Sequence, residues 1–147
     1  MDHSDFDGLT LSNQLCFPLY AASRKVVNLY RPYLDELDLT YTQYITMMVI
    51  WECKTLSVKE IGQRLLLDSG TLTPVLKSLE SKGFVTRRRS SDDERVLMID
   101  ITKKGEVLKT QVLSVRENVG SCLPLNSEEA LQLYSLLYKL LAALNED

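Results

Sequence analysis

Three thiols and one imidazole make up the strongest nucleophiles and soft-metal ligands of this chain: Cys16, Cys53, Cys122 and His3. An odd, widely spaced cysteine set is no disulfide scaffold, and no CxxC pair occurs. His3 stands alone on an acidic N-terminus, MDHSDFDG. A zinc site or a Cys-His pair therefore has no support, and neither a metal nor a cofactor is expected. Cys16 sits in an apolar stretch with no Lys or Arg within one helical turn. Such a cysteine reads as a small buried hydrophobe, unless a helix N-terminus or hydroxyl donors stabilise its thiolate. Cys53 follows an apolar helix and reads as structural. Cys122 lies among Gly120, Ser121 and Pro124, a loose-looking connection that would let a thiol travel.

The second concentration of chemistry runs from Ser57 to Thr102. Ser57 with Glu60 forms an S-x-x-E capping box, and Val58, Ile61, Leu65 and Leu66 share one helical face. Leu67-Asp68-Ser69-Gly70 breaks that helix. A second helix follows, with Leu72, Val75, Leu76 and Leu79 inward and Thr71, Thr73, Lys77 and Ser78 on the other face. Pro74 is cheap only in a first turn, which predicts a start near Gly70 or Thr71, or a local distortion. Gly83 is a left-handed cap. The period then changes to two, predicting strands over Phe84–Arg89 and Arg95–Ile101 joined by Ser90-Ser91-Asp92-Asp93-Glu94. Helix, turn, helix and basic hairpin is the order of a winged helix-turn-helix, whose second helix enters the DNA major groove. Short hydroxyls and Lys77 suit base edges and phosphates, and hairpin arginines suit narrow minor grooves. Because Arg87, Arg88 and Arg89 alternate faces, at most two of them turn to DNA together.

These residues need a body to position them. The 147 residues suggest one domain, 45% hydrophobic and 25% charged, ordinary values for a soluble protein. No apolar run approaches the ~18 residues of a membrane span, and the acidic N-terminus lacks the basic and apolar regions of a signal peptide, so a cytoplasmic protein off the membrane is expected. Net charge is −3, but Lys77 to Lys104 carries eight basic and five acidic residues. A basic patch on an acidic body fits a DNA reader. Residues 1–8 are expected to lack structure. Thr10 or Ser12 caps a helix to about Leu37, bent at Pro18 and Pro32, with Leu11, Leu15, Leu19, Ala22, Val26, Leu29 and Tyr33 on its apolar face. Thr40 caps a buried helix from Tyr41 to about Glu52 that places Trp51 in the core. Thr102 caps a helix from Lys103 to about Gly120, and Asn126 with Glu129 caps a last helix from Ser127 to Leu144. The terminal helices, 9–37 and 103–145, carry more apolar surface than the winged unit at 55–102 needs. A homodimer is the expected use of that surface, spacing two recognition helices by about one DNA turn, ~34 Å.

Asp93-Glu94-Arg95 before a strand ending in Ile101-Thr102 resembles the D-x-R wing of the MarR family. Asn13-Gln14-Leu15-Cys16-Phe17, Leu39-Thr40-Tyr41 and Leu67-Asp68-Ser69-Gly70-Thr71-Leu72-Thr73-Pro74 resemble its organic hydroperoxide-sensing branch. The resemblance spans about Leu11 to Leu144 and implies roles. Cys16 matches the peroxidatic cysteine. Tyr30 and Tyr41 match the tyrosines that hydrogen-bond its sulfur across the dimer, although alone they would read as half-buried core residues. Asp93 matches the wing acid, and Arg95 the arginine that reaches the minor groove. Cys122 stands where two-cysteine members carry a resolving thiol. Pro18 departs from the pattern.

The expectation is a mainly α winged helix-turn-helix homodimer that represses transcription from double-stranded operator DNA. Ser69, Thr71, Thr73, Lys77, Arg87, Arg89, Asp93 and Arg95 would form its DNA face. Organic hydroperoxide would be the inducer, oxidising Cys16 with an intersubunit disulfide to Cys122 to follow. Two other readings remain open: a MarR repressor released by a small ligand, and a thiol peroxidase. The peroxidase is disfavoured because the winged unit occupies a third of the chain.

Overall fold

The computed structural model describes residues 9–145; His3 and the octet expected to lack structure lie outside them. One 3-10 turn, Leu11–Asn13, precedes α1 (Cys16–Asp35), and α2 (Tyr41–Cys53) follows. Next come β1 (Thr55–Ser57), α3 (Val58–Leu65), α4 (Ser69–Ser81), β2 (Val85–Arg89) and β3 (Leu97–Ile101). Three helices close the described chain: α5 (Lys103–Gln111), α6 (Leu113–Cys122) and α7 (Ser127–Leu144). The sheet is antiparallel in the order β1-β3-β2, with Leu56 and Arg87 both opposite Ile99.

Capping chemistry sets the starts. Thr40 caps α2 and Ser57 caps α3, each through a reciprocal box with Gln43 and Glu60, so two orphan donors are satisfied at each end. Asn126 and Glu129 do the same for α7. Thr102 accepts from Gly105 N at 3.0 Å and donates to the Gly83 carbonyl at 2.6 Å, which joins the start of α5 to the base of the wing. A side chain at Gly105 would collide with the Phe84 carbonyl. Gly83 adopts φ +79, the left-handed cap expected of it.

One apolar core runs through the winged unit. Met47 and Ile50 of α2 meet Ile61 of α3, Leu72, Leu76 and Leu79 of α4, and Ile99 of β3. Leu34, Leu108, Val115 and Val119 join from α1, α5 and α6. Trp51 is half-buried and packed against this core, and its indole N–H donates to the Gly105 carbonyl at 2.8 Å.

Several expectations change. The first helix begins at Cys16, not near Thr10, which puts Pro18 in the first turn, where its missing N–H costs nothing. It therefore bends nothing. Pro32 lies inside α1 and the helix continues past it; the one lost bond is on an exposed face. Strand β1 was not foreseen, since three residues carry too little period to read. Ser57 ends it and caps α3 at once. α4 begins at Ser69 with Asp68 as its cap, so Pro74 is its sixth residue rather than part of its first turn. β3 begins at Leu97, leaving Arg95 in the turn. The helix expected over 103–120 divides at Val112 (ψ −6), with no Pro or Gly to announce it. Leu108, Val112, Val115 and Val119 all stay buried across the break. Cys53, expected to be structural, ends α2 exposed.

Candidate nucleic-acid interface and thiol site

The polar edge of α4 is built from its cap outward. Asp68 Oδ1 accepts from Thr71 N at 2.8 Å and Oδ2 from the Thr71 hydroxyl at 2.9 Å. The backbone N–H and then the hydroxyl of Thr71 hold the Asp68 carboxyl below its ordinary range. The Thr73 hydroxyl donates to the Ser69 carbonyl at 2.6 Å. Ser69, Thr71, Thr73 and Lys77 are all exposed, and Lys77 has no ion-pair partner among the described residues. Ser78 departs from this face. It is half-buried and accepts from Gln43 Nε2 at 2.9 Å, so its hydroxyl belongs to the packing side of the helix.

The wing sorts its arginines by direction. Arg95 Nε and Nη2 donate to the two carboxylate oxygens of Asp93 at 3.0 and 3.1 Å, and Arg95 N donates to Oδ1 at 3.0 Å. Those bonds, the side-chain one first, hold the Asp93 carboxyl below its usual range. The Arg95 side chain remains 91% exposed, so the pair fixes its direction without consuming it. Ser90 N and Val96 N close the turn onto the Val96 and Asp93 carbonyls at 2.9 Å each. Arg89 is exposed, with Nη1 3.5 Å from the Arg95 carbonyl. Arg88 points to the other face, where Asp100 accepts its Nε at 2.6 Å. Arg87, expected on the DNA face, is turned to Glu80 of α4. Its Nε and Nη2 each lie 2.6 Å from Oε2, and its backbone N donates to Oε1. That fork clamps the wing to the recognition helix.

A groove of about 950 Å³ opens between α3, the start of α4 and the wing, lined by Lys59, Gln63, Leu66, Ser69 and Arg95 among others. Lys59 and Gln63 were missed in the sequence. The available signal was their i, i+4 spacing on the polar face of α3.

The thiol site is assembled only in part within one chain. Cys16 is the exposed first residue of α1, and no side chain caps that helix. Pro18, third in the helix, has no N–H, so Cys16 and Phe17 carry the first donors of that turn. Tyr30 and Tyr41 are half-buried between α1 and α2, with ring centroids 5.0 Å apart in an edge-on contact. Tyr44 packs on both, at 5.8 and 6.3 Å. Burial, then the neighbouring Tyr30 and Tyr44, pushes the Tyr41 phenol above its ordinary value, which keeps it a donor at neutral pH. Neither the Tyr30 nor the Tyr41 hydroxyl has a hydrogen bond within the described residues. Tyr30 lies fourteen positions from Cys16 on one helix, about 21 Å along its axis, so the structure does not bring the two together within a chain. Cys122 ends α6, exposed, with its sulfur 3.2 Å from the Asn118 carbonyl.

Residues 28–112 match the family model for the transcriptional regulator SarA/Rot. The chain is 45% identical over 141 residues to the organic hydroperoxide resistance transcriptional regulator of Bacillus subtilis, covering 96% of both chains. It is 35% identical to AbfR of Staphylococcus epidermidis. The structure of reduced AbfR bound to DNA superposes with a TM-score of 0.78, covering 97% of this chain and 99% of that one. Disulfide-formed AbfR gives 0.67, covering 99% and 100%. With its winged helix-turn-helix and these relatives, the chain belongs to the SarA/Rot family of MarR-like winged-helix transcriptional regulators.

Proposed function

We propose that this regulator is a homodimeric repressor that releases operator DNA when organic hydroperoxide oxidises Cys16. The observation that carries the reading is the placement of Cys16: exposed, at the uncapped start of the long helix α1, in the same chain as an outward-facing DNA-reading unit. The Cys16 sulfur lies at the N-terminal end of α1. In the dimer, the free hydroxyls of Tyr30 and Tyr41 of the partner subunit would donate to it. The thiolate attacks the terminal oxygen of the peroxide; the S–O bond forms, the O–O bond breaks, and the alkoxide leaves and takes up a proton as alcohol. The resulting sulfenic acid is attacked by the thiol of Cys122 of the partner subunit, which expels water and leaves a disulfide.

Lys77 and Arg95, with Ser69, Thr71, Thr73 and Arg89, are the proposed DNA contacts, Asp93 aims Arg95, and Arg87 holds the wing in place. The AbfR comparison supports a shape change on disulfide formation and not on oxidation as such: the chain resembles the reduced and the overoxidised DNA-bound forms about equally, and the disulfide form less. The test is operator binding before and after stoichiometric hydroperoxide. The parent protein should release DNA and Cys16→Ser should retain it. Release by both, or by neither, would contradict the reading.

A further inference from the structure

The recognition helix is tied at its last turn to the junction of α1 and α2 by a polar cluster centred on Gln43. Gln43 is the third residue of α2 and only 6% exposed. Its Oε1 accepts from Thr40 N and from Lys82 Nζ, each at 3.1 Å. Its Nε2 donates to Ser78 Oγ on α4 at 2.9 Å. Lys82, the residue that ends α4, also donates to the Asp38 carbonyl and pairs with the Asp38 carboxylate at 3.4 Å. Asp38 adopts φ +53, an uncommon conformation for a residue with a side chain, and it lies just past the end of α1. On the opposite side of α4, Glu80 grips Arg87 of the wing. The chain of contacts therefore runs from the end of α1, through Lys82 and Gln43, to the recognition helix and on to the wing.

A buried amide with three partners is costly to leave partly bonded, so the bonds of Gln43 to Thr40, Ser78 and Lys82 hold or break together, while the Asp38 carboxylate that Lys82 also grips is exposed. We propose that Gln43 and Lys82 are positioning residues of the redox switch, carrying a displacement of α1 to the recognition helix. The proposal rests on the redox reading of Cys16. It requires that α1 and α4 move together, which a set of independent surface bonds would not enforce. Neither residue touches the thiol or faces the DNA-reading edge.

The test compares the parent with Gln43→Leu, Lys82→Met and Gln43→Glu. The DNA is a duplex selected from a random pool by the reduced parent, and the oxidant is stoichiometric tert-butyl hydroperoxide. Affinity is measured by fluorescence anisotropy in the reduced and oxidised states, Cys16 sulfenic acid by dimedone labelling, and folding by thermal melting. The parent should lose affinity roughly 5–150-fold on oxidation, the ordinary range of coupling between sites. Gln43→Leu and Lys82→Met should oxidise at the parental rate, with a reduced-to-oxidised ratio falling to within about 2-fold of unity. Gln43→Glu should keep the parental ratio, since its carboxylate can accept from Thr40, Lys82 and the Ser78 hydroxyl. A merely structural cluster would lower the melting temperature and both affinities alike, leaving the ratio unchanged, and that result would overturn the proposal. Should Gln43→Leu not fold, Lys82→Met decides by the same ratio. A parent that keeps its affinity when oxidised would overturn the redox reading and this proposal together, whereas parental release with unchanged ratios in the variants would overturn the coupling alone.

Discussion

Arg87 and Arg95 stand on one hairpin and have the same charge, yet the structure gives them different work. Arg87 is half-buried and forked onto Glu80, while Arg95 projects with its direction set by Asp93. Arg95→Ala and Lys77→Ala should each weaken DNA binding and lower the slope of log affinity against log salt by ~1, as expected for one lost phosphate contact. Arg87→Met should leave that slope unchanged. Its effect should instead be a loss of about 1 kcal/mol of stability, the value of a charge-assisted pair after solvent screening, read by chemical denaturation. An Arg87→Met slope lowered like that of Arg95→Ala would return Arg87 to the DNA face. Alternation along β2 correctly limited the arginines that could share a face, but it could not tell which of them a neighbouring helix would capture. Glu80 was legible as a charge on a helix; its meeting with Arg87 depends on how α4 packs against the sheet.

At the scale of elements, the caps carry much of the order. Thr102 joins α5 to the wing through its hydroxyl, which meets Gly83, Phe84 and Gly105, and Thr102→Ala should cost about 1–2 kcal/mol, the range of lost N-caps, in a denaturant titration. Four carboxyls in the winged unit are held low: Asp93 by Arg95, Asp68 by Thr71, Glu60 by the Ser57 hydroxyl, and Asp100 by Arg88. A carboxyl lowered in the folded state adds stability above its unfolded value and loses it as pH falls through the folded one. The melting temperature should therefore be level above pH about 5 and decline as pH drops through the range below the ordinary carboxylate values of 3.8 and 4.5. A melting temperature that rises on acidification would contradict these assignments. The helices with reciprocal capping boxes, α2, α3 and α7, were legible because Thr40, Ser57 and Asn126 announce them. The start of α1 was not, since Leu15 offers no cap. The break at Val112 was equally silent, because buried aliphatic residues continue across it.

For the whole molecule, α7 is the element least explained by one chain. None of its residues is buried, and Leu131, Leu136 and Leu144 are more than 60% exposed. Leu15 of the segment before α1 is 82% exposed, although helical spacing had placed it inward; the proposed dimer would cover it. Leu136→Glu together with Leu140→Glu should convert a dimer into a monomer in sedimentation velocity and abolish tight operator binding. A double variant that remains dimeric would move the interface elsewhere. The dimer would also bring Cys16 of one protomer to the tyrosines of the other, which a single chain cannot do.

In the proposed switch, the redox state of Cys16 sets operator occupancy. That dependence is tested most directly by titrating the reduced dimer with hydroperoxide, following Cys16 modification by mass spectrometry and DNA binding by anisotropy in the same samples. DNA release should track the fraction of Cys16 oxidised, and Cys16→Ser should stay bound throughout. Full oxidation of Cys16 with the operator still held, or release from Cys16→Ser at the same peroxide dose, would contradict the account.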